Sequence, residues 1–174
     1  MTMAEPLSTA LFAARVGFFL TRYNSYSFNK RKQDDSSVRK WIATNLESYR
    51  ASATEIMTRA HRSGNTELSN TMRRLMDQID LFKNDAYMAE TGVKGKFFSS
   101  KSVASSASLK KLIEYDALIM EEIQKGGKAL VHLQKAMSSG EKGIESSAED
   151  INTHFIDSHS KFRDRIKYIR GFGD

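Results

Sequence analysis

Asp150, His154 and Asp157 are the closest this sequence comes to a metal-ligating group. Spacings of four and then three residues put them on one face of a helix, beside an apolar stripe. Two carboxylates flanking an imidazole could hold a divalent ion if another helix supplied further ligands. The competing reading, an exposed helix face with a local Asp–His ion pair, is the expectation carried forward. A di-iron bundle needs Glu-x-x-His pairs on facing helices. The nearest pattern is Glu149-x-x-Asn152, and none of His61, His132, His154 or His159 stands three residues after a glutamate.

Other chemistry is scarcer. The 174 residues include no cysteine, which excludes thiolate nucleophiles, disulfides and Cys-ligated zinc or iron–sulfur sites. No Gly-x-Ser-x-Gly is present. The stretch Thr91–Phe97 (TGVKGKF) has a Gly-Lys pair but not the spacing of a phosphate loop, no Ser or Thr after Lys96, and a helix rather than a strand before it. No cofactor and no small-molecule substrate is inferred, and the chain is expected not to be an enzyme.

Charge is more informative. Net charge is +6, but residues 91–111 hold five basic and no acidic residues, and residues 112–160 hold four basic against nine acidic. Three basic segments are candidates for binding an anionic surface. Arg22, Lys30, Arg31 and Lys32 are interleaved with Tyr23, Tyr26 and Phe28. Lys94, Lys96 and Lys101 surround Phe97 and Phe98. Lys161, Arg163, Arg165, Lys167 and Arg170 run along the last helix, where Arg163, Lys167 and Arg170 share one face. Cations neutralise phosphates and aromatic rings stack on bases or sit among lipid headgroups, so these residue types suit either target. Solvated helix faces are the plain alternative.

Leu7–Leu20 (LSTALFAARVGFFL) is the most apolar stretch, too short and too interrupted by Arg15 to span a bilayer. As a helix it is apolar on two sides, with Leu11 and Phe18 on one and Phe12, Val16 and Phe19 on the other. These five are candidates for insertion into a membrane or a partner, since nucleic acid offers them no complement. The segment makes a poor secretory signal because Glu5 stands where positive charge is needed; a mitochondrial presequence fits somewhat better.

Thr21–Ser37 is polar and aperiodic, and is read as a connector ending in a cap at Asp35, Ser36 or Ser37. Helical spacing then takes over. Val38, Ile42, Leu46, Tyr49, Ala53, Ile56 and Ala60 form one stripe; Leu68, Met72, Leu75, Ile79, Phe82 and Ala86 form the next. Gly64 is placed to close the first helix and Asn65 to cap the second. Thr91–Ser108, with six serines in its last ten residues, is the longest expected loop. Leu109, Leu112, Ile119, Ile123, Leu130, Leu133 and Met137 define a third helix, and Ile144 through Ile169 a fourth that Gly171 ends.

Two anomalies fall inside the third helix. Gly126 and Gly127 each cost about 1 kcal/mol relative to Ala in a helix interior. They imply a close crossing that admits a bulky neighbour such as Phe82 or Phe155, or else a hinge or groove. Asp116 on an apolar stripe marks either a shift of the stripe to Leu118 and Ile119 or a polar contact that fixes register; a buried functional carboxylate is the rarer case.

The expected fold is all-α: an antiparallel four-helix bundle with near-heptad packing plus an additional N-terminal helix. Residues 1–37 form an apolar helix and a polar, basic linker. Residues 38–174 form the bundle, with helices at roughly 38–63, 66–91, 108–139 and 143–170. The expected function is a non-catalytic scaffold or adaptor, self-associating or bound to a helical partner, with basic segments docking on an anionic membrane or an acidic protein. A nucleic-acid-binding helical protein is the alternative, and a metal-binding or enzymatic bundle the third. The expected location is cytoplasmic, peripheral to a membrane if the docking reading holds.

Overall fold

A computed structural model describes residues 28–89, 106–141 and 143–171. Four helices account for nearly all of them: α1 Phe28–Arg62, α2 Thr66–Met88, α3 Ser106–Ser139 and α4 Glu145–Arg170. No strand occurs among the described residues, and no described helix is long and apolar enough to cross a membrane. The fold is an all-α bundle, and the N-terminal apolar helix expected at 7–20 lies outside the described residues.

α1 starts about ten residues earlier than the cap expected at 35–37. Two polar side chains near the start of α1 bond along the helix itself. Asp35 is not a cap: its Oδ2 accepts from Arg39 Nε at 3.0 Å, one turn on, and it is buried. Ser37 Oγ donates back to the Gln33 carbonyl at 2.9 Å. The turn after α1 matches its sequence signals. Gly64 takes φ +75°, a left-handed conformation that costs other residues steric strain, and Asn65 Oδ1 accepts from the Leu68 amide at 3.0 Å. Gly171, at φ +82°, ends α4 by donating its amide to Tyr168 O.

The stripes read from the sequence form one continuous core. Val38, Ile42, Leu46, Ile56, Leu75, Ile79, Phe82, Ile119, Ile123, Ile151 and Phe155 are all fully buried within it. α1 packs on α2 and α3, and α4 packs on α3 and α2, so α1 lies diagonally across from α4 and α2 from α3. Cross-helix bonds give the directions. Glu55 accepts from Gln134 at 2.8 Å and Arg59 reaches Ser138 at 3.3 Å, so α1 and α3 run the same way. Asn65 donates to Glu145 at 2.8 Å and His159 contacts Asp85 at 2.7 Å, so α2 and α4 also run together. Each hairpin is antiparallel, while neighbours from different hairpins are parallel. One end of the bundle carries the turns at 63–65 and 140–144. The other carries the start of α1, the end of α2, the start of α3 and the end of α4.

Candidate functional site

The second of these ends contains a buried ionic layer that the sequence reading did not assemble. Arg165 of α4 is fully buried. Its Nε donates to Asp116 Oδ1 on α3, and its Nη1 lies 2.8 Å from Asp35 Oδ1 on α1, across the diagonal of the bundle. Asp35 in turn holds Arg39. Arg39 Nη1 donates to the carbonyls of Ala86 at 3.3 Å and Ala89 at 2.7 Å, the end of α2. Two arginines and two aspartates thus balance in charge and tie all four helices together. A guanidinium on carbonyls at a helix C-terminus also satisfies groups that the helix itself leaves open and complements its dipole. Asp116 is therefore a register-fixing polar contact, not a shift of the stripe. Arg165, read with the cationic run, belongs to the core.

A second polar site lies between α2 and α4. His159 is buried and stacks on Phe82, with ring centroids 4.7 Å apart and planes inclined by 14°. Its Nε2 donates to Asp85 Oδ2 at 2.7 Å, and its Nδ1 accepts from Gln78 Nε2 at 2.8 Å. Burial pushes the imidazole below its ordinary value; the Asp85 carboxylate pulls it partly back, and Arg163 adds to the lowering. Burial opposes ionisation of Asp85 too. Hydrogen bonds from His159 and Arg163 nonetheless hold its carboxyl below the usual range. The shift favours the neutral imidazole, and its two partners set its tautomer.

The proposed metal group does not assemble. His154 Nδ1 turns to Glu122 Oε2 on α3 at 2.9 Å, while Asp150 and Asp157 are exposed. Among the described residues no cluster of three or more histidines and carboxylates is placed to hold an ion. Burial works against ionisation of Glu122, but His154, Lys125 and Lys161 together keep its carboxyl below the ordinary value.

Gly126 and Gly127 are close-packing positions rather than a groove. A Cβ on Gly126 would stand 2.7 Å from the Phe155 ring, and one on Gly127 would overlap the Tyr49 ring. Phe155 was among the expected neighbours, Phe82 was not the second, and Tyr49 went unforeseen. Tyr49 and Phe155 meet edge to face at 5.9 Å, so the two glycines let α1 and α4 bring their rings together against α3.

The basic candidates divide. Arg22, Lys94, Lys96 and Lys101 lie outside the described residues, as do Leu11, Phe12, Val16, Phe18 and Phe19. Lys30, Arg31 and Lys32 lie in the opening turn of α1. On α4, Arg163 pairs with Asp85 at 3.2 Å and Lys167 with Asp164 at 2.9 Å, and Arg170 is exposed. All these segments join the bundle at the end holding the ionic layer. Residues 1–40, 91–111 and 161–174 together carry 17 basic and five acidic residues, against ten basic and 16 acidic in the remaining 99. A shallow groove toward the opposite end, lined by Arg59, Val131, Gln134, Lys135, Ser138 and Ser139, holds no carboxylate or imidazole. Comparison of the chain with protein-family models, with curated proteins and with solved structures gave no match.

Proposed function

We propose that this chain is a non-catalytic helical scaffold that docks end-on against an anionic membrane surface. The observation that carries this reading is that the start of α1, the end of α2, the start of α3 and the end of α4, which the basic segments of the sequence adjoin, lie at one end of the bundle. Cations gathered on one end add their attraction to a negatively charged leaflet, at about 1 kcal/mol for each Lys or Arg near the surface. Charges spread over all sides would act singly. The apolar stretch Leu7–Leu20 precedes α1, which begins at that same end, and apolar insertion combined with a polybasic patch is the usual basis of peripheral binding. The buried ionic layer and the buried His159, hydrogen-bonded at both ring nitrogens, read as structural groups, which supports a non-catalytic role.

Co-sedimentation with phosphatidylserine-containing vesicles across a salt series tests the proposal, comparing the full chain with one lacking residues 1–20. Binding that weakens with salt and is lost on truncation is the expected result. Absence of binding even at low salt would overturn it. Salt-sensitive binding to mixed oligonucleotides that survives the truncation would instead favour the nucleic-acid reading.

A further inference from the structure

The outer face of α4 carries a pattern that the core does not use. Ile156 is 46% exposed, although it sits on a helix whose other large aliphatic side chains turn inward. Seven and eleven residues before it stand Glu149 and Glu145; seven and eleven residues after it stand Arg163 and Lys167. At 100° per residue all four fall within about 20° of the Ile156 direction, at heights of about 10 and 16 Å on either side. The stripe is therefore symmetric in spacing about Ile156 and opposite in charge across it. Glu149, Arg163 and Lys167 are exposed, and Glu145 is half-buried beside Asn65.

We infer that this face binds a second copy of the same chain, antiparallel, about a two-fold axis at Ile156. A two-fold axis across the helix brings Glu149 opposite the second copy's Arg163 and Glu145 opposite the second copy's Lys167, and the reciprocal pairs follow by symmetry. The two Ile156 side chains meet at the axis. A parallel pairing would set like charges against each other over the whole length, so the charge order selects the direction.

The neighbouring helix supports the same arrangement. On α2, Leu81 is 56% exposed and stands one turn before Asp85, on the α4 side of its helix. It widens the apolar centre around Ile156. Arg74 pairs with Glu149 near one end of the face, and Asp85 pairs with Arg163 near the other. Laid antiparallel, Arg74 comes to the region of the second copy's Asp85. Each exposed pair then meets its opposite, and every charge in the group has neighbours of the other sign. Exposed pairs of this kind contribute little on their own, so they direct the pairing while the apolar centre supplies contact area. The inference does not depend on membrane docking, although Arg163 and Lys167 also belong to a basic segment on which that reading draws.

The chain contains no cysteine, so single introduced cysteines report register directly. Ile156→Cys in the full chain should cross-link to its own copy under mild oxidation with diamide, because that position sits on the axis. Glu149→Cys should not, because its own copy lies about 21 Å away along the helix. Mixed with Arg163→Cys, it should form the heterodimer. Sedimentation velocity supplies the second arm. Glu145→Lys with Glu149→Lys makes the stripe wholly basic, and Arg163→Glu with Lys167→Glu makes it wholly acidic. Each variant alone should be monomeric at low salt, and the mixture should dimerise. Ile156→Glu, which disturbs none of the ion pairs, should weaken the wild-type dimer at least tenfold. The basic double variant should lose the dimer yet keep vesicle binding, which separates this proposal from the membrane reading. A wild-type chain that is monomeric at low salt and high concentration, or reversed variants that dimerise as well as wild type, would overturn it.

Discussion

Deleting the Arg165 guanidinium would leave Asp35 and Asp116 buried with their shared cation gone. Removing one partner of a buried ionic group costs about 3–5 kcal/mol because a desolvated charge is left uncompensated. Arg165→Met should therefore lower the urea midpoint steeply, and adding Asp116→Leu should recover part of the loss. His159 sets a pH dependence of definite sign. Its folded value lies below its ordinary 6.5, so the unfolded chain takes up the proton first. The stability it contributes is complete above that value and is lost as pH falls through and below it. Asp85, lowered from 3.8 by its partners, contributes a further loss under more acidic conditions. Urea midpoints measured from pH 8 down to pH 3 should fall in two stages, and His159→Gln should remove the first. At this scale the sequence was legible in part. Asp116 stood out as a charge on an apolar stripe. Its partner did not, because Arg165 is flanked by Arg163 and Lys167 and the run reads as one cationic face. Asp35 looked like a helix cap for want of any sign that the helix begins earlier. His159 stands four residues after Phe155, on the core face, and that spacing was the available signal.

The helices themselves were the most readable level, since their apolar stripes persist for about five turns or more and the periodicity needs no knowledge of partners. Their ends were less so. Asp35, inside the earlier start of α1, pairs locally with Arg39 one turn on, but its burial against Arg165 of α4 depends on the tertiary fold. Within α3 the sign of a Gly→Ala change turns on contact rather than propensity. Alanine would gain about 1 kcal/mol from helix propensity, but a Cβ on Gly127 would overlap the Tyr49 ring. Overpacking of this kind costs about 1–3 kcal/mol. Gly127→Ala should thus lower the thermal midpoint, and pairing it with Tyr49→Leu should restore it. Arg39 gives an element-level test of another kind. Arg39→Met removes the donor to Ala86 O and Ala89 O, so amides in the last turn of α2 should exchange faster with deuterium than those of its middle.

With α1 and α3 running the same way, the helix ends that adjoin the three basic segments lie at one end of the bundle. The uneven distribution of charge along the chain was legible in the sequence. That like-directed helices are neighbours was not, because a near-heptad stripe looks the same against a parallel or an antiparallel partner. The polarity is testable by moving charge between ends. Lys94→Glu, Lys96→Glu and Lys101→Glu together should abolish most vesicle binding at moderate salt. Lys128→Glu with Lys135→Glu, in the C-terminal half of α3, should leave it nearly unchanged. The arrangement of the helix ends also has a mechanical side. The start of α1 and the end of α4 lie at the same end of the bundle, on diagonally opposed helices. Tension applied between them loads the packing perpendicular to the helix axes, so it peels contacts open in sequence instead of shearing them all at once. Among the described residues the Arg165–Asp35 bridge crosses that diagonal near the loaded end, so the ionic layer is the expected yield point under force.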